Sequence, residues 1–300
     1  MSDEAAVLSI EGLVVRYGSR TVLDGVSFEV PRGSVFALLG RNGAGKSSLI
    51  RCALGQQRAA GGAARLFGRD AWASRAEAMA RVGVVPEEPD APTDMSAREL
   101  LAFCGPLYPR WDDGAARSRL ERSGVPADVP FGRLSKGQKG TVMLALALAP
   151  APELLILDDP TLGLDAVARR ALYDELIGDL ADRGTTALVA THDLDGIEPI
   201  ADRVAILHGA RLVVNESLDA LKGRYRRIRC GGSNGSFSWA PFSATSAADR
   251  DWGREAIVSD FTEERFEAFV ARSGSSNVEV GALSLEEVFL CLAGGAEAQP

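Results

Sequence analysis

Gly40-Arg41-Asn42-Gly43-Ala44-Gly45-Lys46-Ser47 matches the pattern G-x-x-x-x-G-K-[ST] at every fixed position. It stands between a short apolar run, residues 34–39, and a stretch with helical apolar spacing at Leu49, Ile50 and Leu54. Strand, glycine-rich loop and helix in that order bring backbone N–H groups and the positive end of a helix to one point, which an anion satisfies. The expected guest is the phosphate chain of a nucleotide, wrapped by Gly40, Arg41, Asn42, Gly43, Ala44, Gly45 and Ser48. Lys46 then reaches the β- and γ-phosphates. Ser47 offers its hydroxyl to Mg²⁺, a cation that takes oxygen ligands and bridges phosphate oxygens.

The surrounding pattern predicts an α/β fold. Partial alternation over residues 8–16 and 21–30 predicts two antiparallel strands, with Tyr17 and Gly18 in the turn between them, where a ring can lie against an adenine base. Apolar runs at 63–67, 82–85, 154–157, 185–190 and 205–208 predict further strands, the ones at 154–157 and 185–190 being of the buried parallel kind. Ligands of open α/β sheets bind beyond the carboxyl ends of the strands. That rule selects Glu87, Asp158, Asp159 and His192, the last being one of two histidines in the chain. Asp158 is the expected indirect holder of Mg²⁺. Glu87 is the expected neighbour of the ion or its water, and Asp159 the group that orients or deprotonates a water.

Residues 90–150 read as a helical, loop-rich insertion. Ser96 and Glu99 form a capping box for a helix carrying Leu100, Leu101, Phe103, Cys104 and Leu107 and ended by Pro109; a second helix spans residues 112–122. Ser135 and Gln138 have the same box spacing ahead of an apolar helix that stops at Pro150, so Ser135, Gly137 and Gln138 present a positive helix end to an anion. The bland alternatives are a plain turn at Tyr17, solvated acids at Glu87, and a capped core helix at Ser135.

Composition narrows the setting. A net charge of −8 disfavours non-specific nucleic-acid binding through the whole surface. The four cysteines form no C-x-x-C pair, which suggests neither zinc nor a disulfide framework and suits a reducing cytosol. The acidic start, Met1-Ser-Asp-Glu, lacks the layout of an export leader, and the most apolar stretch, residues 142–157, is cut by Pro150, Pro152 and Glu153. A membrane role therefore needs a partner that supplies the spans.

Tyr17, the loop from Gly40 to Ser47, Glu87, Leu134-Ser135-Lys136-Gly137-Gln138, the run ending in Asp158-Asp159, Leu162-Gly-Leu-Asp165 and His192 stand in the order found in ATP-binding cassette (ABC) proteins. The resemblance covers residues 7–222. It implies a P-loop NTPase core of the ABC type, with an antiparallel β subdomain and a helical insertion at about 90–150. It also implies a head-to-tail dimer with a second copy or a related cassette, in which ATP lies between the phosphate loop of one partner and the Ser135–Gln138 segment of the other. By the same resemblance Tyr17 stacks on adenine, Asp158 and Asp159 bind Mg²⁺ and polarise water, His192 contacts the γ-phosphate, and the segment around Asp165 links the two sites. This chain departs from the family at three positions: Glu87 replaces a glutamine, Lys136 a glycine, and Asp159 a glutamate. Slow basal hydrolysis with intact ATP binding is the expectation.

Residues 223–300 read as a small α+β appendage. Basic residues 224–229, a turn at 231–235, strands near 237–242 and 254–259, a helix from Thr262 and a last helix capped at Ser284 and Glu287 make it up. The resemblance is closest to stand-alone ATPase subunits of bacterial antibiotic or lipid exporters, which work with a separate permease at the inner face of the cell membrane. The competing expectations are a slowly hydrolysing nucleotide-gated switch and a non-transport ABC ATPase acting on a macromolecule.

Overall fold

A computed structural model of the chain describes residues 6–162, 164–231, 238–273 and 277–295. Met1-Ser-Asp-Glu, Gly163 of the Asp165 segment, most of the expected turn at 231–235, and Phe237 lie outside the described residues.

The first of two compact units runs to Asn215. It opens with β1 (Leu8–Tyr17) and β2 (Arg20–Val30), antiparallel partners with Leu8 opposite Val30 and Tyr17 opposite Arg20. Alternation sends Leu8, Ile10, Leu13 and Val15 and, from β2, Leu23, Val26, Phe28 and Val30 into the core. After them come β3 (Val35–Gly40), α1 (Lys46–Ala53), β4 (Gly61–Leu66) and β5 (Arg69–Asp70). The sheet β2-β1-β4-β5 is the antiparallel layer.

The chain continues through α2 (Arg75–Met79), β6 (Val82–Val85), α3 (Ala97–Cys104), α4 (Asp113–Arg122), α5 (Lys136–Leu148), β7 (Leu154–Asp158) and α6 (Ala166–Arg183). Next are β8 (Thr186–Thr191), α7 (Leu194–Ile197), β9 (Arg203–His208) and β10 (Arg211–Ser217). The second sheet has the order β10-β9-β3-β8-β7-β6, and from β9 to β6 its neighbours are parallel. β3 is buried along its whole length, as a central parallel strand must be. Phe36 on β3 stacks on Phe28 of β2 at 5.1 Å and joins the two sheets in one core.

The insertion between β6 and β7 has a core of its own, with Leu100, Leu101, Leu120, Phe131 and Val142 at its centre. Its helix starts are chemically set. Ser96 accepts from the Glu99 N–H at 3.3 Å while its own N–H donates to Glu99 at 2.8 Å, and Ser135 and Gln138 repeat the exchange at 3.2 and 3.1 Å. One expectation is corrected. α3 ends at Cys104, not at Pro109, because Pro106 has no N–H to continue it, and a 3₁₀ turn follows. Leu107, beyond the helix, is 66% exposed, and Phe103, within α3 but off the face of Ala97, Leu100 and Leu101, is 62% exposed.

The amino ends of the parallel strands are pinned by charge. Glu153, just ahead of β7, accepts from Arg81 Nε at 2.5 Å and Nη2 at 2.8 Å and from Arg32 Nη1 at 2.9 Å. The Arg81 hydrogen bond, followed by the bond and charge of Arg32, holds the Glu153 carboxyl down at about 2, against an ordinary 4.5. Because the folded value is the lower one, the contribution to stability is present above the ordinary carboxylate range and is lost as pH falls through about 2. The Glu153→Gln variant is expected to melt earlier than the parent near neutral pH, with the gap closing toward pH of about 2; melting curves across pH measure it. The pair is partly exposed, so the gap is expected to be a few degrees at most.

The second unit, Glu216–Pro300, holds α8 (Leu218–Arg224), β11 (Arg226–Gly231), β12 (Ala244–Arg250), β13 (Gly253–Val258), α9 (Glu263–Ser273), β14 (Val278–Ala282) and α10 (Leu285–Gly295). Its antiparallel sheet has the order β12-β13-β11-β14. The division falls at Asn215, ahead of the 222/223 boundary expected from sequence, because α8 is tied into this unit. Arg224 bonds Glu216 at 2.6 Å and the Ser259 carbonyl at 3.2 Å, and its own carbonyl accepts the Phe261 N–H at 3.0 Å. The strand expected near 237–242 is not one in its described part. Residues 238–243 are irregular around Pro241, and Trp239 and Phe242 instead pack their rings on Phe269 of α9.

Candidate functional site

The phosphate loop leaves β3 at Gly40 and closes through an Ala44 N–H to Arg41 carbonyl bond of 3.0 Å. Gly45 has φ of +104°, and a Cβ there would lie 2.7 Å from Leu23 Cδ2 and 3.1 Å from the Val22 carbonyl, so both backbone and space require glycine. α1 begins at the next residue with no side-chain cap and no acid in its first turn, leaving its first N–H groups for an external anion. Lys46 is 7% exposed and donates to the Gly40 carbonyl at 2.9 Å. An ammonium held by a single carbonyl, at the mouth of N–H groups, is set up to take phosphate oxygens.

The parallel register brings the carboxyl ends of β7 and β8 beside the loop, with Leu39 opposite Thr191 and Asp158 opposite Ala190. Asp158 is bonded to the Ser47 hydroxyl, and burial raises its carboxyl above the ordinary range; the charges of Glu87 and Asp159 push the same way, while Ser47 and Lys46 oppose them. The next residue is buried and left-handed: Asp159 has φ of +48°, a conformation aspartate tolerates better than most side chains. Its N–H donates to the Ala190 carbonyl at 2.7 Å. Its Oδ1 accepts the His192 N–H at 3.2 Å and lies 2.6 Å from His192 Nδ1. The acid and the histidine therefore form a contact pair, with half of the imidazole open to solvent.

Tyr17, at the end of β1, donates its hydroxyl to Gln57 at 2.7 Å and lies 3.2 Å from the Ser48 hydroxyl, which fixes the edge of its ring against α1. An open cleft of about 480 Å³ gathers Tyr17, Asn42, Gly43, Ala44, Gly45, Lys46, Ser47, Ser48, Glu87 and Asp159. Arg20, Val22 and Arg51 also line it. Sequence reading missed these three; the signals that could have found them are the β1–β2 hairpin for Arg20 and Val22 and the helix after the phosphate loop for Arg51. Ser135, Gly137, Gln138 and Asp165 do not line the cleft. Ser135 and Gln138 cap α5, and Asp165 accepts the Ala168 N–H at 2.8 Å at the start of α6. The two segments are neighbours, since a Cβ on Gly137 would lie 3.5 Å from Leu164 Cδ2.

A family model described as ABC transporter matches residues 23–162. The bacitracin transport ATP-binding protein BcrA of Bacillus licheniformis is 33% identical over 226 residues, which span 74% of this chain and 74% of that protein. The chain belongs to the ABC transporter family. A second relative, the Nod factor export ATP-binding protein I of Ralstonia nicotianae, is 35% identical over 215 residues, 69% of this chain and 66% of the relative. A solved structure titled as an ATP-binding subunit of an ABC transporter matches with a TM-score of 0.66 and 30% identity, covering 72% of this chain and 92% of that one. The cbiO1 subunit from Clostridium perfringens matches at 0.62 and 27%, over 72% and 90% of the two chains. The fold is thus the P-loop cassette of ABC ATPases, and the chain is an ATP-binding and ATP-hydrolysing component of a transporter.

Proposed function

We propose that this subunit binds MgATP in the cleft between Tyr17 and Asp159, hydrolyses it slowly, and drives export through a separate membrane permease. The carrying observation is the convergence, at one end of the parallel sheet, of a buried lysine on a phosphate loop with Asp158, Asp159 and His192. The Ser47 hydroxyl and the Asp158 carboxylate are adjoining hard oxygen donors, as Mg²⁺ prefers, and burial leaves Asp158 short of a cation. Glu87 stands beside them as a further carboxylate. When bound, the ion supplies charge neutralisation between the β- and γ-phosphates. Among the described residues no three His, Cys, Asp or Glu side chains are placed to hold a metal by themselves, so the ion is expected to bind with the nucleotide and not before it.

Each side chain has a defined task in this reading. Lys46 binds the β- and γ-phosphates, Tyr17 supports the adenine, Asp159 with His192 holds the attacking water and the γ-phosphate, and α5 of a second copy closes the site with Ser135, Gly137 and Gln138. The positive end of α5 does not line its own cleft, which supports a site shared between two copies. Asp165 follows Leu164, the neighbour of Gly137, and is suited to link the two shared sites. Export as the direction follows the name of the Nod factor export relative. A second reading, a nucleotide-gated switch, is favoured by one observation: the Asp159 carboxylate is already engaged by His192.

Among the described residues no helix is long and apolar enough to cross a membrane, which fits a peripheral subunit at the inner face of the cell membrane. Fractionation of the source cells is the test. The chain is expected to sediment with membranes and to be released by alkaline carbonate, and its ATPase is expected to rise when its permease is present. Recovery wholly in the membrane-free fraction, with turnover indifferent to the permease, contradicts the export reading.

A further inference from the structure

Tyr173 of α6 is 4% exposed, and no task in the site has been assigned to it. Its ring is packed so closely on α7 that a Cβ on Gly196 would lie 2.4 Å from Tyr173 Cε2. Its hydroxyl lies among three residues, Thr161, Thr191 and Asp193. Those residues flank the working groups: Thr161 follows Asp159 by two positions, and Thr191 and Asp193 enclose His192.

The cluster is under-satisfied. The Tyr173 hydroxyl, Asp193 Oδ2 and Arg169 Nε are all buried and have no hydrogen bond of ordinary geometry, although Arg169 Nη1 is 3.7 Å from Asp193 Oδ1. Three buried polar atoms in one cluster without a well-formed hydrogen bond need an explanation beyond packing. The rest of the neighbourhood is well bonded. Asp193 accepts the Gly196 N–H at 3.2 Å and donates its own N–H to Thr191 Oγ1 at 2.9 Å, and the Arg169 N–H bonds the Asp165 carbonyl at 3.0 Å. The phenol is already within reach of the Asp193, Thr191 and Thr161 side chains, short of a well-formed bond to any of them. The start of α6 is the Asp165 segment.

The geometry points to Tyr173 as a positioning residue that ties the Asp159 turn and the His192 turn to the Asp165 end of α6, so that movement of that helix sets the Asp159–His192 pair. This rests on the reading of Asp159 and His192 as the working groups. Burial and the Asp193 charge both raise the Tyr173 phenol, so it stays protonated and able to donate to Asp193 throughout the ordinary pH range.

The test is Tyr173→Phe, which removes only the hydroxyl and keeps the ring against Gly196. Turnover number is expected to fall about tenfold while affinity for a fluorescent ATP analogue stays within about twofold, the split that misplacement of reacting groups produces. A second readout needs no nucleotide. The chain has two histidines, so spectra of the protein labelled with ¹⁵N-histidine carry two ring systems, and the His192 signals are expected to move while those of His208 do not. Unchanged turnover with unmoved His192 signals overturns the inference, as does a parallel loss of turnover, affinity and melting temperature. Asp159→Asn, assayed alongside, separates the two layers. If it keeps full turnover, the working-group reading is wrong and the inference falls with it; if it loses turnover and Tyr173→Phe does not, only the inference falls.

Discussion

Lys46→Ala is expected to weaken ATP binding about 100-fold without unfolding the protein. The ammonium makes one hydrogen bond in the free subunit, to the Gly40 carbonyl at 2.9 Å, so its removal costs the fold little. In the nucleotide complex the same group meets two ionised phosphates, and charge-assisted bonds of that kind are worth roughly 1.5–3 kcal/mol, or one to two decades in affinity. The loop itself is held by its own turn and by Gly45, where a left-handed backbone and a close approach exclude a side chain, so it survives the substitution. Titration of a fluorescent ATP analogue, with a melting curve of the same sample, measures both sides of the claim. Affinity unchanged at full thermal stability removes the phosphate loop from nucleotide binding.

Asp159→Asn is expected to lower the turnover number by about 100-fold or more and to leave ATP affinity within about twofold. Asparagine keeps the backbone bond to Ala190 and an oxygen for His192, so the geometry at the end of β7 is preserved while the negative charge is lost. The companion variant Asp159→Glu addresses reach. The carboxylate here is shorter by one methylene than the family's glutamate, and misplacing a catalytic group by ~1 Å can cost on the order of 10²-fold. A rise in turnover in the glutamate variant is the expected result. An equal or lower rate means that the site is built around the shorter acid, clamped by His192 at 2.6 Å and held in a left-handed turn that suits aspartate.

The parts of this molecule that were legible in its sequence share one property: local chemistry dictates them. The phosphate loop is a steric and electrostatic solution with almost no freedom, the strand at 82–85 is the β6 of the structure, and the helix starts at Ser96 and Ser135 are spelled out by reciprocal side-chain bonds. The expectation that parallel strand ends deliver Asp158, Asp159 and His192 to one place also rests on a general rule of open sheets, and the register matches it. What escaped was set by tertiary context. β12, Ala244–Arg250, is an edge strand exposed along nearly all its length, so it carries no alternation to read. The aromatic run around Trp239 and Phe242 looks like a strand by composition, yet it serves as a plug on α9. Leu107 is spaced to extend the helix that carries Leu100, and Pro106 turns the chain before it can, while Phe103 falls on the solvent side of α3. Inside the site, the Asp159–His192 contact joins residues 33 positions apart, and only the fold brings them together.

Under the proposed function ATP is shared between the cleft of one copy and the capped start of α5 in another, and sedimentation velocity of the Asp159→Asn variant reports on that sharing, because suppressed turnover keeps the nucleotide intact. A monomer without nucleotide that becomes a dimer with ATP and Mg²⁺, and stays monomeric when Ser135→Arg is added, is the predicted result. A single species that ignores ATP, or a dimer that forms equally well with the Ser135→Arg change, rules out a shared nucleotide site.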